Sequence, residues 1–141
     1  MLHSTIFRDI DDLSKHINNV YESIFKRYGL HRGQFAFITR IVENEQISLK
    51  KLAQNLRLDK TTVTRAIQKL ETAGYITKIQ DNNDYRLFHL CATKSGIDLY
   101  HNIITEKNQI IDKILENFPV EQLEQLSLIV KDMNTRLAKI K

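Results

Sequence analysis

The sequence predicts a mainly α-helical chain with one small β-hairpin, an α+β arrangement. Two short central helices form a helix-turn-helix, and long helices lie at both ends. Three observations carry this reading. Glycine and proline are scarce, four and one in 141 residues, which disfavours a turn-rich all-β fold. Apolar residues near both ends recur at spacings of three and four, the rhythm of one helical face. Two strand-like runs, YITKIQ and RLFHLCA, flank DNND, whose residues tolerate left-handed backbone and bond their own backbone in turns.

The elements follow in order. Ile6, Ile10, Leu13, Ile17, Val20 and Ile24 make a heptad-like stripe along a first helix that Gly29 ends. Phe35 to Val42 is a short helix with Phe35, Ile38, Ile41 and Val42 inward, and Asn44 to Gln46 is a loop. Ser48 is an N-cap for SLKKLAQNL, whose buried face is Leu49, Leu52, Ala53 and Leu56. After a break at Arg57-Leu58, Asp59 caps a helix over about residues 60–73, and Gly74 stops it. The hairpin comes next. Thr93 or Ser95 then opens a helix with apolar positions 97, 100, 104, 111, 114 and 118, interrupted by Lys107. Pro119 suits the first turn of a last helix carrying Leu123, Leu126, Val130, Met133, Leu137 and Ile140.

The length suits one modest domain, or one domain plus an extension. No run of about 18 apolar residues suggests a membrane span. The N-terminus lacks a basic region followed by an apolar one, so no signal peptide is expected. Cys91 is alone, which excludes an internal disulfide framework. Together these point to the cytoplasm, with no membrane partner. The long terminal stripes seek other helices. They could pair within the chain, but the central body is too small to cover them all, so a second copy is expected.

The charge is unevenly placed. Residues 50–78 hold seven basic and two acidic side chains, a local excess of five in a chain whose net charge is +4. A polyanion is the partner such a surface suits. Leu52, Leu56, Leu58, Val63 and Ala66 would cross the two short helices at a steep angle. Thr61, Thr62, Arg65, Gln68 and Lys69 are then left outward, with Thr64 at the edge. The major groove of DNA admits one α-helix. Threonine offers a hydroxyl and a methyl there, arginine can bond both acceptors of guanine, and glutamine can pair with adenine. The hairpin would act as a wing, with Lys78, Asp81, Asp84 and Arg86 near its tip. Asp84 could fix Arg86 by a bidentate pair, and Arg86 would enter the adjacent minor groove.

On TTVTRAIQKLETAGYITKIQDNNDYR, followed by ATKSG, the chain resembles the multiple-antibiotic-resistance regulator (MarR) family of winged helix-turn-helix proteins. The resemblance runs over nearly the whole chain. Val63-Thr64-Arg65, Leu70-Glu71, Gly74, Asp81, Asp84, Arg86, Thr93 and Gly96 match the family pattern in place. Lys78 stands where arginine is more usual, Ala92 replaces a leucine, and Arg57 takes a turn position often held by glycine. In a left-handed conformation Arg57 would carry a steric penalty.

The resemblance implies a homodimer in which residues 1–30 and 94–141 dimerise and residues 31–93 form the DNA-binding region. Two recognition helices about 34 Å apart would then meet a pseudo-palindromic operator on double-stranded DNA. It also implies a repressor released by a small-molecule effector bound between the dimerisation and DNA-binding parts. The residues expected at DNA are Ser48, Lys60, Thr61, Thr62, Thr64, Arg65, Gln68, Lys69, Lys78, Asp84 and Arg86.

No phosphate loop, catalytic triad order or paired-carboxylate spacing stands out, so no enzyme and no cofactor are expected. Cys91 lies mid-strand with no second cysteine to resolve a sulfenic acid, which favours a buried apolar role over oxidation sensing. His3, His16, His31, His89 and His101 are scattered with no i,i+4 pair, so no zinc site is expected. Tyr21, Tyr28, Tyr75 and Tyr100 could line a ligand cavity, though packing is the expectation. The alternative function is a winged-helix protein-interaction module, for example an antirepressor, that does not bind DNA.

Overall fold

A computed structural model describes residues 2–140. The elements are α1 (Leu2–Arg27), α2 (Arg32–Glu43), β1 (Ile47–Ser48), α3 (Leu49–Leu56), α4 (Lys60–Thr72), β2 (Ile76–Gln80), β3 (Phe88–Ala92), α5 (Lys94–Leu115) and α6 (Val120–Ala138). The chain divides into two compact units, one running through Lys107 and one from Asn108 onward. The division falls inside α5.

The first unit is built around α4. Val63, Ile67 and Leu70 are fully buried, and they repeat at four and three residues because only that spacing keeps a helix side facing one way. Ile38 and Ile41 of α2, Leu52 of α3, Ile76 of β2, Leu90 of β3 and Ile103 of α5 are buried with them. Ile24 and Phe25 bring the last turns of α1 into the same core. Each such side chain contributes about 1.5–3 kcal/mol on leaving water. The strands run antiparallel in the order β1-β3-β2, with Ser48 opposite His89 and Lys78 opposite Leu90.

Sequence and structure differ at several places, and on α3 only Leu52 of the expected face is fully buried. β1 was not expected: two residues are too short to show an alternation, and they pair only because β3 passes beside them. Phe37 is buried beside the anticipated Phe35 and Ile38. Leu58, expected inside, is 40% exposed. On α5 the buried positions are Gly96, Leu99 and Ile103, whereas Ile97 is exposed. That helix carries apolar residues on two faces, and the more regular stripe is not the one its own chain covers.

Three helix ends share one geometry. After α1 the amide of Gly29 bonds the carbonyl of Lys26 and that of Leu30 bonds Phe25. After α4, Gly74 and Tyr75 repeat this with Glu71 and Leu70. After α3, Arg57 bonds Gln54 and Leu58 bonds Ala53. Each closure needs one left-handed residue. Gly74 supplies it at φ +84°, and Arg57 adopts φ +54° despite its side chain. The steric penalty anticipated for Arg57 is therefore present.

The start of α5 is locked to the end of α4. The Thr93 amide bonds the Tyr75 carbonyl at 3.0 Å and its hydroxyl bonds the Gly74 carbonyl at 2.6 Å. Thr93 also accepts from the Gly96 amide at 3.1 Å, which makes it the cap of α5. Gly96 has no room for a side chain, since a Cβ there would lie 2.1 Å from the Tyr75 oxygen.

Further along α5, Glu106 accepts from both the Arg27 guanidinium and the Tyr28 hydroxyl. The Lys107 ammonium sits 4.2, 5.0 and 4.8 Å from the ring centres of Tyr21, Phe25 and Phe35. Tyr100 stacks on Phe35 at 6.1 Å. These aromatic residues pack, as anticipated for Tyr21, Tyr28 and Tyr100.

The N-terminal turns of α1 are uncovered: Ile6, Ile10, Leu13, Ile17 and Val20 are all exposed. In the second unit, α6 starts after Pro119 and buries none of its residues. Leu126, Val130 and Leu137 are exposed, while Leu123 and Met133 are half-buried. No helix among the described residues is long and apolar enough to cross a membrane.

Two substitutions test this account in urea denaturation. Gly96→Ala should cost about 1–3 kcal/mol, because a backbone oxygen cannot step aside as a side chain can. Arg57→Gly should raise stability by about 0.5–1 kcal/mol, the relieved penalty less the extra unfolded-state entropy of glycine. Unchanged stability in both variants would mean the helix ends are not as described.

Candidate nucleic-acid interface

The burial of Val63, Ile67 and Leu70 fixes what α4 presents to solvent. Lys60, Thr61, Thr62, Arg65, Gln68 and Lys69 are exposed, and Thr64 is half-buried at the edge. The expected outward set is thus gathered on one face. Between residues 60 and 69 that face carries three cations and no anion.

The threonines divide by what their hydroxyls already do. Thr62 donates its hydroxyl and its amide to Asp59, the N-cap of α4. Thr62's hydroxyl, and then its amide, hold the Asp59 carboxyl below its ordinary range. Thr64 donates to the Lys60 carbonyl at 2.8 Å. Thr61 alone of the three makes no hydroxyl bond among the described residues, so its O–H is free to meet another molecule. Arg65, Gln68 and Lys69 likewise border a shallow depression of about 350 Å³ with their polar ends unengaged.

Ser48 caps α3 by accepting from the Lys51 amide at 3.0 Å. It stands on the wall of a larger groove of about 670 Å³ between α3, α4 and the hairpin. Lys50, Arg57, Lys60, Lys78 and Arg86 ring that groove, and Ala53, Leu58, Leu87 and Phe88 floor it. The exposed Leu58 faces this groove, as do Leu87 and Phe88 of the hairpin. Lys50, Gln54, Arg57, Leu87 and Phe88 were not among the anticipated site residues. Charge count alone could have flagged Lys50 and Arg57; the rest needed the hairpin's position.

The hairpin departs from expectation in detail. Asp84 accepts from the Arg86 amide at 3.0 Å, but the side chain meets it by Nε alone at 3.4 Å. A bidentate clamp is absent, and the Arg86 side chain is 92% exposed. Lys78 is the least free of the cations: its ammonium lies 3.7 Å from Glu71 and 5.7 Å from the Phe88 ring centre. Asp81 accepts from the Asn83 and Asp84 amides and from the His89 ring. Both aspartates therefore shape the wing from within. Cys91 is half-buried on β3, not fully buried. Among the described residues no group of three or more His, Cys, Asp or Glu is placed to hold a metal ion.

Comparison with known proteins agrees with this geometry. Residues 30–88 match the family described as the MarR family. An uncharacterized HTH-type transcriptional regulator of Bacillus subtilis, YybA, is 32% identical over 125 residues, covering 89% of this chain and 83% of the relative. A MarR protein structure from Peptoclostridium difficile is 37% identical with a TM-score of 0.76, covering 94% and 86% of the two chains. A MarR family regulator structure from Listeria monocytogenes, described as a complex with 26mer DNA, is 32% identical with a TM-score of 0.75, covering 94% and 88%.

The division among the threonines can be measured. Thr62→Val should lower the melting temperature by about 2–4 °C through the lost bond to the cap, whereas Thr61→Val should leave it in place. Equal melting of the two variants would mean that both hydroxyls face solvent.

Proposed function

The chain belongs to the MarR family of HTH-type transcriptional regulators, and from that premise we propose that it is a homodimeric repressor of a pseudo-palindromic operator, released by a small ligand. It is a regulator and not an enzyme. The observation that carries the DNA reading is the outer face of α4, where the side chains of Thr61, Arg65, Gln68 and Lys69 are uncovered and make no hydrogen bond among the described residues. A helix so equipped fits the major groove. Arg65 pairs with a guanine edge, Gln68 with adenine, and Thr61 with a base or phosphate. Lys60 and Lys69 reach phosphates. Ser48, at the start of α3, meets the backbone alongside.

Arg86 extends from the wing into the neighbouring minor groove. Lys78, Asp84, Thr62 and Thr64 serve the interface by holding its shape, since each already has an internal partner. The Listeria monocytogenes relative complexed with DNA supports this assignment.

The uncovered stripe of α1, Ile6 to Val20, and the unburied apolar residues of α6 support dimerisation through residues 1–30 and 94–141. An exposed apolar stripe on each of these helices is what an interface needs. Two copies would then present two α4 faces about one helical turn of DNA apart. A ligand would release the operator by favouring a dimer in which that spacing no longer fits.

Fluorescence anisotropy on DNA from upstream of the gene tests the reading. Affinity should fall by about 10³ or more between 50 and 200 mM salt. Arg65→Ala should cost about 1–3 kcal/mol per half-site and relax base preference. No binding at the lower salt would favour a protein-interaction module, and a lone subunit by sedimentation at micromolar concentration would remove the dimer.

A further inference from the structure

The wing is joined to the entrance of the helix-turn-helix through one imidazole. His89, on β3, places Nδ1 3.1 Å from the Gln46 carbonyl oxygen and Nε2 2.8 Å from Asp81 Oδ1. Both neighbours are acceptors only. A neutral imidazole has one N–H, so it can satisfy one of them and must turn a lone pair on the other. The imidazolium has two N–H groups and satisfies both. The site is built for the charged ring.

The surroundings carry that arrangement in both directions. Gln46 stands at φ +58°, uncommon for a residue with a side chain, immediately before β1. Asp81 binds the ring with Oδ1 and uses Oδ2 to accept from the Asn83 and Asp84 amides at 2.9 and 2.8 Å. Asp84 in turn holds the Arg86 amide. One unbroken path of hydrogen bonds thus leads from the loop before β1, through His89, to the wing-tip arginine. The side chains of His89 and Asp81 are 28% and 24% exposed, so protons reach them while bulk water screens them only in part.

We propose that His89 is a proton-operated clasp that fixes the wing to the loop before β1, so that the protein holds DNA more weakly as the medium turns alkaline. His89 is a positioning residue in this proposal, and the inference rests on the DNA-binding reading. The bond to Asp81, then that to Gln46, raises the imidazole above the ordinary histidine value, and His89 holds Asp81 below the ordinary carboxylate range. The sign follows. A raised native value means the clasp is fully closed below about pH 6.5, the ordinary histidine value, and opens as pH climbs through the raised one. Charged groups on the elements near it include Arg40 and Glu43 on α2, Glu45 in the loop, Lys50 and Lys51 on α3, Lys78 on β2, and Asp84 and Arg86 on the wing. None of these bonds the ring, so Asp81 sets its charge.

Two measurements on the full-length chain test this. In the free protein, the His89 ring should titrate above the ordinary histidine range by NMR, and the amide protection factors of residues 81–87, corrected for intrinsic exchange at each pH, should fall with the same midpoint. In anisotropy, wild-type affinity for operator DNA should fall by about fivefold or more from pH 6 to 9. His89→Arg keeps charge and paired donors at every pH and should flatten the profile at the tight end; His89→Gln should flatten it at the weak end. A ring that titrates at or below the ordinary value, or wing amides that ignore it, overturns the clasp whatever the DNA does. A wild-type profile that His89→Arg leaves unchanged also overturns it. Wing amides that follow the ring in a protein that binds no DNA at any pH would keep the clasp and remove the DNA reading instead.

Discussion

The burial of Val63, Ile67 and Leu70 is the constraint on which the rest depends. A helix turns 3.6 residues per revolution, so seating those three in the core leaves no freedom over what faces outward. Rotation of α4 by one position would bury Gln68, whose side chain has no partner among the described residues, at a cost of about 1–3 kcal/mol. It would also bring Ile67 toward water. The order of Thr61, Arg65, Gln68 and Lys69 along the solvent side is therefore a consequence of packing. The interface inherits its accuracy from the core beneath it.

Strain is placed to the same end. The two non-glycine residues with positive φ among the described residues are Gln46 and Arg57, and they bracket β1 and α3. Each conformation costs of order 1–3 kcal/mol. At Gln46 it is accompanied by a carbonyl met by His89. At Arg57 it is accompanied by a cation at the rim of the groove between α3, α4 and the wing. A glycine would close α3 more comfortably, as Gly74 closes α4, but it would leave that rim without its charge. Backbone comfort is given up there for a charge at the groove.

What the sequence disclosed and what it withheld divide along physical lines. Helix existence was legible because apolar spacing is local: Val63, Ile67 and Leu70 announce their own periodicity. The caps at Ser48 and Asp59 were legible because a short polar side chain before an apolar run has one common use. Only the family resemblance, with glycine common at that turn position, hints at the left-handed conformation that Arg57 adopts. β1 was not, because Ile47 and Ser48 become a strand only through β3, which lies far along the chain. The two faces of α5 were confused because periodicity reports that a face exists, not which neighbour covers it. At the candidate site the outward residues of α4 were read correctly, but their availability was not. Whether Thr62 or Thr61 keeps a free hydroxyl depends on where Asp59 points, and whether Lys78 is free depends on Glu71 reaching across from α4. The bond from His89 to Gln46 spans 43 positions and leaves no local trace.

The joint between α4 and α5 decides how a distant event can reach the recognition face. Thr93 bonds the carbonyls of Gly74 and Tyr75, and the Gly96 backbone lies so close to Tyr75 that a single added carbon would overlap it. A contact made of backbone on backbone has no rotamers to absorb displacement, unlike one between flexible side chains. Turning or sliding α5 must therefore carry the Gly74–Tyr75 turn along. That turn is the C-terminal closure of α4. Glu106 and Lys107, farther along α5 within the same unit, are engaged by Arg27 and Tyr28 and by the rings of Tyr21, Phe25 and Phe35. Those contacts are made by side chains, which can change rotamer, whereas the Thr93–Gly96 joint cannot. One end of α5 in this unit is thus held rigidly by backbone contacts and the other by side chains that can adjust.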